Sequence, residues 1–337
     1  EGLLYDDAGM EKIYEKFRDA KVDGLFVPHC NFGTEYEVCR LAKKLNVPVL
    51  LWGPRDECPD ENGMRLRDSQ CGLFATGKVL RRFGIPFTYL KNCNLEDECF
   101  AEGIDRFLRV CNVVKAFRNM RILQISTRPF DFWSTMCNEG ELLEKFGIQL
   151  SPIPMPELTQ AMKDVKENSP EEIKEVTDYC REKMCIKVTP EQLDNVAALK
   201  IAMTRLGKKY GCNCGAIQCW NALQDEIGIM PCAANALCND EGFPIACETD
   251  IHGTITSVLV EAAAMGETRS FFADWTVRHP YNDNAELLQH CGPWPISIAK
   301  EKPTIDTPVA FDCSGSLMAQ AKDGEHISLV RFDGDNG

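Results

Sequence analysis

The chain has 337 residues, which is long enough for two or three domains with a substantial core. Its net charge of −14 argues against nucleic acid or an anionic membrane as the main partner, because neither attracts an acidic surface, whereas a small neutral substrate is compatible. The sequence contains no uncharged apolar run of about 18 residues, so we expect no membrane-spanning helix.

The N-terminal residues and the cysteines indicate a compartment. Residues 1–7 lack the basic region and the apolar segment of a signal peptide, so we expect a cytoplasmic protein. The eighteen cysteines are scattered, which in a large cytoplasmic chain indicates buried, reduced thiols and few disulfides. The group Cys212, Cys214 and Cys219 lacks the second Cys or His pair of a structural zinc site.

Residues 1–118 alternate between helical and strand patterns. We predict helices at 8–20, 34–44, 69–83 and 100–119, and strands at 23–28 and 47–52, with Asp68 or Ser69 as an N-cap of the third helix. Short connections between strand, helix and strand are typical of a doubly wound parallel sheet. Residues 72–78 match part of a phosphate-binding loop, but Val79 follows where a serine or threonine is needed, so we interpret them as helix.

Residues 119–242 repeat this alternation and predict a second doubly wound domain. We predict strands at 121–125 and 214–220 and a helix at 139–146. Two further helices begin with the same signal, a hydroxyl residue followed by proline, at Ser169-Pro170 and Thr189-Pro190.

Residues 243–337 have a different pattern. We predict strands at 244–248, 269–275 and 327–332 and one helix at 255–265. The predicted fold class is therefore α/β, with two tandem doubly wound parallel-sheet domains followed by a strand-rich C-terminal domain, a partial β-barrel. The chain stops in a turn at residues 336–337, and we expect further strands of this domain beyond it.

The chemically informative stretch is residues 247–253, where Glu248, Asp250 and His252 follow a short apolar run. Carboxylates at the end of a buried strand need a partner, because burying an unpaired charge costs several kcal/mol or more. A divalent ion with hard oxygen ligands, manganese or magnesium, is one such partner. The alternative is that Asp250 caps the following helix and Glu248 pairs with an arginine. Spacing alone leaves both interpretations open.

The order of the motifs resembles a known family. Glu226 lies upstream of residues 247–253, which are followed by residues 271–275 and 288–292. In this order, after two α/β domains, the segments resemble the L-fucose isomerase and L-arabinose isomerase superfamily, and its fucose isomerase branch more closely.

The resemblance implies a metal-dependent aldose–ketose isomerase acting on a deoxy-hexose or pentose, such as L-fucose or L-arabinose. It implies that Glu226 and Asp250 bind Mn²⁺, or another divalent cation, and act as the acid/base pair. The third metal ligand in the family is a histidine, which we expect outside this chain. The resemblance also implies a homo-oligomer, a hexamer.

Elementary chemistry is consistent with these roles. Isomerisation moves a proton from C2 to C1 through an ene-diol, so a base must reach C2 and an acid must serve the neighbouring oxygen. A divalent ion on O1 and O2 would stabilise the developing charge. No Gly-x-Gly-x-x-Gly fingerprint follows a predicted strand, so we expect no nucleotide cofactor.

Four further residues are candidates for substrate binding: His252, Asp274, Trp275 and His290. His252 could bind a sugar hydroxyl or only contact the helix terminus. Trp275 could form a platform for a sugar or fill the core. His290 could neighbour the metal or be structural.

A second function remains open, that of a non-catalytic sugar-binding protein of the clamshell type. Tandem doubly wound domains also form such receptors. The strand-rich third segment and the lack of a signal-peptide pattern argue against it.

Overall fold

The computed structural model describes residues 3–308, 313–324 and 326–334 and divides into two units, residues 1–115 and 116–337. Each unit contains a parallel sheet with helices, which confirms the predicted α/β class. Residues 336–337, where we expected a turn, lie outside the described residues. Among the described residues, no helix combines the length and apolar character needed to span a membrane.

The first unit contains a three-stranded parallel sheet in the order β1-β2-β3. Its elements are α1 (Asp7–Asp19), β1 (Leu25–Pro28), α2 (Tyr36–Leu45), β2 (Val49–Trp52), α3 (Ser69–Arg82), β3 (Phe87–Tyr89) and the start of α4 (Glu98–Arg118). The central strand β2 is buried along its whole length, as the continuous apolar run of a parallel sheet requires.

Helix α3 confirms one interpretation and corrects another. Residues 72–78 lie within it, as predicted. A Cβ at Gly72 would lie 2.1 Å from the Phe32 carbonyl oxygen, so close backbone packing explains this glycine without a phosphate. Asp68 precedes the helix, but neither it nor the Ser69 side chain caps it. The Asp56 carboxylate accepts the hydrogen bond from Ser69 N at 3.0 Å instead.

The second unit contains a four-stranded parallel sheet in the order β5-β4-β7-β8. Its strands are β4 (Arg121–Ile125), β5 (Gln149–Ile153), β7 (Cys214–Ile217) and β8 (Ile245–Ala246). Its helices are α5 (Glu139–Glu141), continued by a π-helical turn over Leu142–Phe146, α6 (Met155–Asn168), α7 (Pro170–Lys183), α8 (Pro190–Tyr210), α9 (Ala222–Ile227), α10 (Cys232–Asp240) and α11 (Ile251–Ala263). The largest apolar cluster lies between this sheet and α6, α8 and α10.

The two predicted helix starts differ. Thr189 forms a complete capping box with Gln192, as predicted. Ser169 makes no capping hydrogen bond, so that part of the prediction is wrong. Its hydroxyl accepts a hydrogen bond from Arg205 at 2.9 Å instead.

After residue 242 the strands are short and belong to several sheets. β9 (Asp274–Arg278) and β10 (Glu286–Gln289) form an antiparallel hairpin, whereas β11 (Thr304–Asp306) joins β12 (Ser316–Met318) to β6 (Cys185–Ile186). The strand expected at 327–332 is not formed in the described residues 326–334. β8 pairs with β7 in the second sheet, and the three-domain division and the partial barrel stay predictions.

Candidate functional site

The order of the second sheet locates a crevice. The chain runs from β4 to β5 on one side and then to β7 on the other, so the winding direction reverses between β4 and β7. Open α/β sheets bind ligands outside the carboxyl ends of their strands at such a point. Ser126 and Gln218 follow these two strands, and Ser126 Oγ donates to Gln218 Oε1 at 2.7 Å. An open depression of about 510 Å³ lies on the β5 side of Ser126, lined by Gln124, Ser126, Thr127 and residues 152–156.

A strained turn follows β8 at the same edge. Glu248 and Thr249 have φ values of 55° and 52°, a left-handed conformation that costs roughly 1–3 kcal/mol for a residue other than glycine. The turn is held by hydrogen bonds from Thr249 N to the Ile217 carbonyl and from Thr249 Oγ1 to the Thr127 carbonyl. Such strain concentrates at functional sites, so the turn marks Glu248 as a candidate.

Asp250 is buried and caps helix α11. Its Oδ1 accepts a hydrogen bond from Gly253 N at 2.8 Å. Arg331 binds the same carboxylate through both guanidinium nitrogens, at 2.5 Å and 3.0 Å. Asp250 therefore has the cap and the arginine partner of the alternative interpretation, although that interpretation gave the arginine to Glu248. Because the cap begins the helix at Ile251, α11 starts four residues before the predicted 255.

Glu226 lies on α9 and is exposed to solvent, whereas Asp250 is buried. Within the described residues, no set of three closely spaced metal-ligating side chains includes either carboxylate. The Arg331 guanidinium already compensates the charge of Asp250, so the observed arrangement fits an arginine on this carboxylate and does not fit a divalent cation. Metal binding by Glu226 and Asp250 stays a prediction.

His290 is buried beside two carboxylates. Its Nδ1 donates to the Phe272 carbonyl at 3.0 Å, and its Nε2 lies 3.6 Å from Glu248 Oε1 and 3.9 Å from Asp274 Oδ2. Burial alone would lower the pKa of His290, but the interactions with Glu248 and Asp274 outweigh it and raise the pKa to about 9. The ring is therefore a cation at neutral pH, paired mainly with Glu248.

Thiols line the buried side of this pair. Cys219 Sγ accepts a hydrogen bond from Glu248 N at 3.4 Å. Cys291 follows His290, and a hydrogen bond from Cys232 and the charge of His290 outweigh burial and lower its pKa to about 7. Among the described residues the cysteines are thiols, with no disulfide between them.

Two buried amide oxygens, Gln224 Oε1 and Asn235 Oδ1, have no hydrogen-bond partner within the described residues. Asn235 contacts Cys247 through its Nδ2 at 3.6 Å, directly before the strained turn. A buried acceptor without a donor costs about 1–3 kcal/mol.

The candidates for substrate binding differ from one another in burial and in their contacts. His252 is buried on α11 and packs against Phe332, with ring centroids 5.5 Å apart. Asp274 lies near His290, as given above. Trp275 is 65% exposed, so its core-filling alternative is wrong. The sequence interpretation gave Glu248 an arginine partner and not His290. It also missed Arg331 as the partner of Asp250, because Arg331 lies 81 positions from Asp250 and no local pattern joins them.

The arrangement can transfer protons. A histidine between two carboxylates can donate a proton, and the carboxylate beside it can accept one. The crevice also contains hydroxyl and amide groups, Ser126, Thr127 and Gln218, of the kind that bind sugar hydroxyls. The described residues thus place acid, base and polar binding groups at one edge of the sheet.

Comparison with known proteins finds similar proteins. Residues 1–118 match the family described as fucose/sulfoquinovose isomerase, N-terminal domain. A sulfoquinovose isomerase from Alkalicoccus urumqiensis is 25% identical over 260 residues, which is 77% of this chain and 57% of that protein. One from Priestia aryabhattai is 23% identical over 291 residues, 86% of this chain and 64% of that protein.

A third sulfoquinovose isomerase, from Clostridium sp. (strain MSTE9), is 24% identical over 279 residues, 82% of this chain and 61% of that protein. The chain thus spans 57% to 64% of the length of these relatives. The resemblance inferred from the motifs is confirmed: the chain is similar to the fucose isomerase-like branch of the L-fucose isomerase and L-arabinose isomerase superfamily, and residues 1–118 correspond to the N-terminal domain of that branch.

Proposed function

We propose that the protein is an aldose–ketose isomerase that uses the carboxyl edge of the second sheet as its active site. The observation that carries this proposal is the pair of the partly buried Glu248 and the buried His290, whose Oε1 and Nε2 atoms lie 3.6 Å apart beside a strained turn. The similarity of this chain to sulfoquinovose isomerases extends over 77% to 86% of its residues and supports the same class of reaction.

The chemistry assigns roles to these residues. One carboxylate removes the proton from C2 of the aldose and returns it to C1, for which Glu248 and the predicted pair Glu226 and Asp250 are the candidates. To the His290 cation we assign stabilisation of the negative charge that oxygen gains in the ene-diolate, and its raised pKa keeps the ring protonated at neutral pH. Its Nδ1 bond to Phe272 fixes the ring orientation.

The substrate we propose is an aldose, either a deoxy-hexose or a pentose. L-Fucose and L-arabinose follow from the motif resemblance, and the relatives add sulfoquinovose, a deoxy-hexose that carries a sulfonate. A sulfonate requires a cationic partner, and a chain with a net charge of −14 must supply it locally. The three sugars are therefore to be compared directly.

The test is conversion of aldose to ketose by the purified chain, with each of the three sugars, with and without added Mn²⁺. Ketose formation supports the proposal. Sugar binding with no conversion of any of the three would instead support a clamshell-type binding protein. Metal dependence is proposed on the resemblance alone, and loss of conversion in a chelator, restored by Mn²⁺, is its separate readout.

A further inference from the structure

We propose that Cys93, Asp97 and Cys99, in the first unit, form a Zn²⁺ site that is independent of the isomerase function. Their ligand atoms, two sulfurs and a carboxylate oxygen, all lie within 4.8 Å of one another. Because Zn–S bonds are about 2.3 Å and Zn–O bonds about 2.0–2.2 Å, rotations of these side chains that shorten the separations would bring all three atoms to one ion.

The loop that holds these residues joins β3 to α4 and is fixed by its own hydrogen bonds. Asp97 Oδ2 accepts from Asn94 N at 2.8 Å, and Asp97 N donates to the Asn94 carbonyl at 3.2 Å. Phe100 N donates to the Asp97 carbonyl at 2.9 Å. The second carboxylate oxygen of Asp97 takes part in none of these bonds. The backbone therefore brings the three ligands together before any ion binds.

One contact of Cys93 favours a thiolate, whereas its burial and the neighbouring Cys99 raise the pKa of the thiol. Its sulfur is fully buried and accepts a hydrogen bond from the Trp52 indole nitrogen at 3.3 Å. An N–H donor to the sulfur of a metal-binding cysteine stabilises the thiolate and orients it. Phe100 packs against Trp52 with ring centroids 5.0 Å apart and shields this side from water. Asp97 and Cys99 are half-buried, so the opposite side of the site is open to solvent.

The donor set selects the class of ion. Two thiolates and one carboxylate suit Zn²⁺ better than Mn²⁺ or Mg²⁺, which prefer oxygen ligands. Three protein ligands leave the fourth tetrahedral position to water, which the exposed side allows. On binding, each thiol loses its proton, so affinity rises with pH.

The experiment measures zinc binding by the reduced, chelator-stripped chain. We expect one tightly bound Zn²⁺ that is lost in Cys99→Ser and bound at least about tenfold more weakly in Asp97→Asn. Cys58→Ser and Cys71→Ser are matched controls, because both thiols are exposed and lie outside the cluster, and they should retain the ion. Cobalt in place of zinc should give a thiolate-to-cobalt charge-transfer band in the absorption spectrum. It should also quench the tryptophan fluorescence of the wild type, and quench that of Trp52→Phe less.

Two results would overturn the proposal. One is zinc binding with the same stoichiometry and affinity in Cys99→Ser, Asp97→Asn and wild type, which would place the ion elsewhere among the cysteines. The other is a disulfide between Cys93 and Cys99 that persists in the natively folded chain after treatment with a thiol reductant. Cys93→Ser replaces a buried thiol and risks misfolding, so the test uses variants of the half-buried Cys99 and Asp97.

Discussion

At the scale of single residues, the bond between Asp250 and Arg331 is the most informative contact. The Asp250 carboxylate is buried, and both of its oxygens accept hydrogen bonds from the guanidinium. Loss of a charged hydrogen bond that leaves a buried partner costs about 2 kcal/mol. We expect Arg331→Ala to lower the free energy of unfolding by about this amount in urea titrations.

Two variants sharpen this test. Arg331→Lys keeps the charge but not the two-pronged geometry, so it should recover only part of the loss. Arg278→Ala removes an exposed arginine paired with Glu286 and should cost less than about 1 kcal/mol. Equal stabilities of wild type and Arg331→Ala would show that the bond contributes nothing measurable.

The raised pKa of His290 predicts a pH dependence of stability. Because the folded pKa is about 9 and the unfolded value is near 6.5, the protonated ring stabilises the fold fully below about pH 6.5. This contribution, on the order of 3 kcal/mol, is lost as the pH rises toward and through 9. His290→Asn should therefore flatten the decline in unfolding free energy between pH 6.5 and 9.5. A parallel decline in the variant and the wild type would contradict the assignment.

At the scale of elements, the two similar helix starts give a matched comparison. Thr189→Ala removes a complete capping box at α8 and should cost about 1 kcal/mol of stability. Ser169→Ala removes no cap, only the exposed contact with Arg205, and should cost clearly less. Urea unfolding of the two variants measures the difference, and equal losses would mean that the Ser169 hydroxyl caps α7 in solution.

Local signals explain which elements were predictable. The parallel strands were visible because buried strands are continuous apolar runs, as in β2 and β7. Ser169 and Thr189 carry the same local signal, and only tertiary contacts decide that one of them binds Arg205. The sheet that β8 joins was not predictable either, because strand pairing depends on partners distant in sequence.

The site was predictable to the same limited extent. The sequence indicated Asp250 as a helix cap, since a carboxylate before an apolar helical run is a local pattern. The left-handed turn at Glu248 was not predictable, because its strain is maintained by hydrogen bonds to Ile217 on β7 and to Thr127 in the loop after β4. The position of Glu226 relative to the metal stays a prediction.

At the scale of the whole molecule, the β9–β10 hairpin bears on the predicted homo-oligomer. Trp275, Val277 and Leu287 are all more than half exposed on it. Exposed apolar side chains grouped on one element are typical of an interface, and we propose a second copy of this chain as the partner. Light scattering should show an oligomer that Val277→Asp weakens, with Val330→Asp as an exposed apolar control elsewhere. A monomeric wild type would contradict this proposal.

The most direct test of the account is isomerisation in deuterated water, followed by proton NMR, for wild type, Glu248→Gln and Asp250→Asn. Sulfoquinovose, L-fucose and L-arabinose are the substrates. We predict that the wild type forms a ketose with solvent deuterium at C1 and that Glu248→Gln lowers the rate by about 100-fold or more while sugar binding persists. Glu144→Gln, an exposed glutamate on the π-helical turn, is the control and should be fully active. Undiminished turnover in Glu248→Gln, or no ketose from any of the three sugars, would contradict the account.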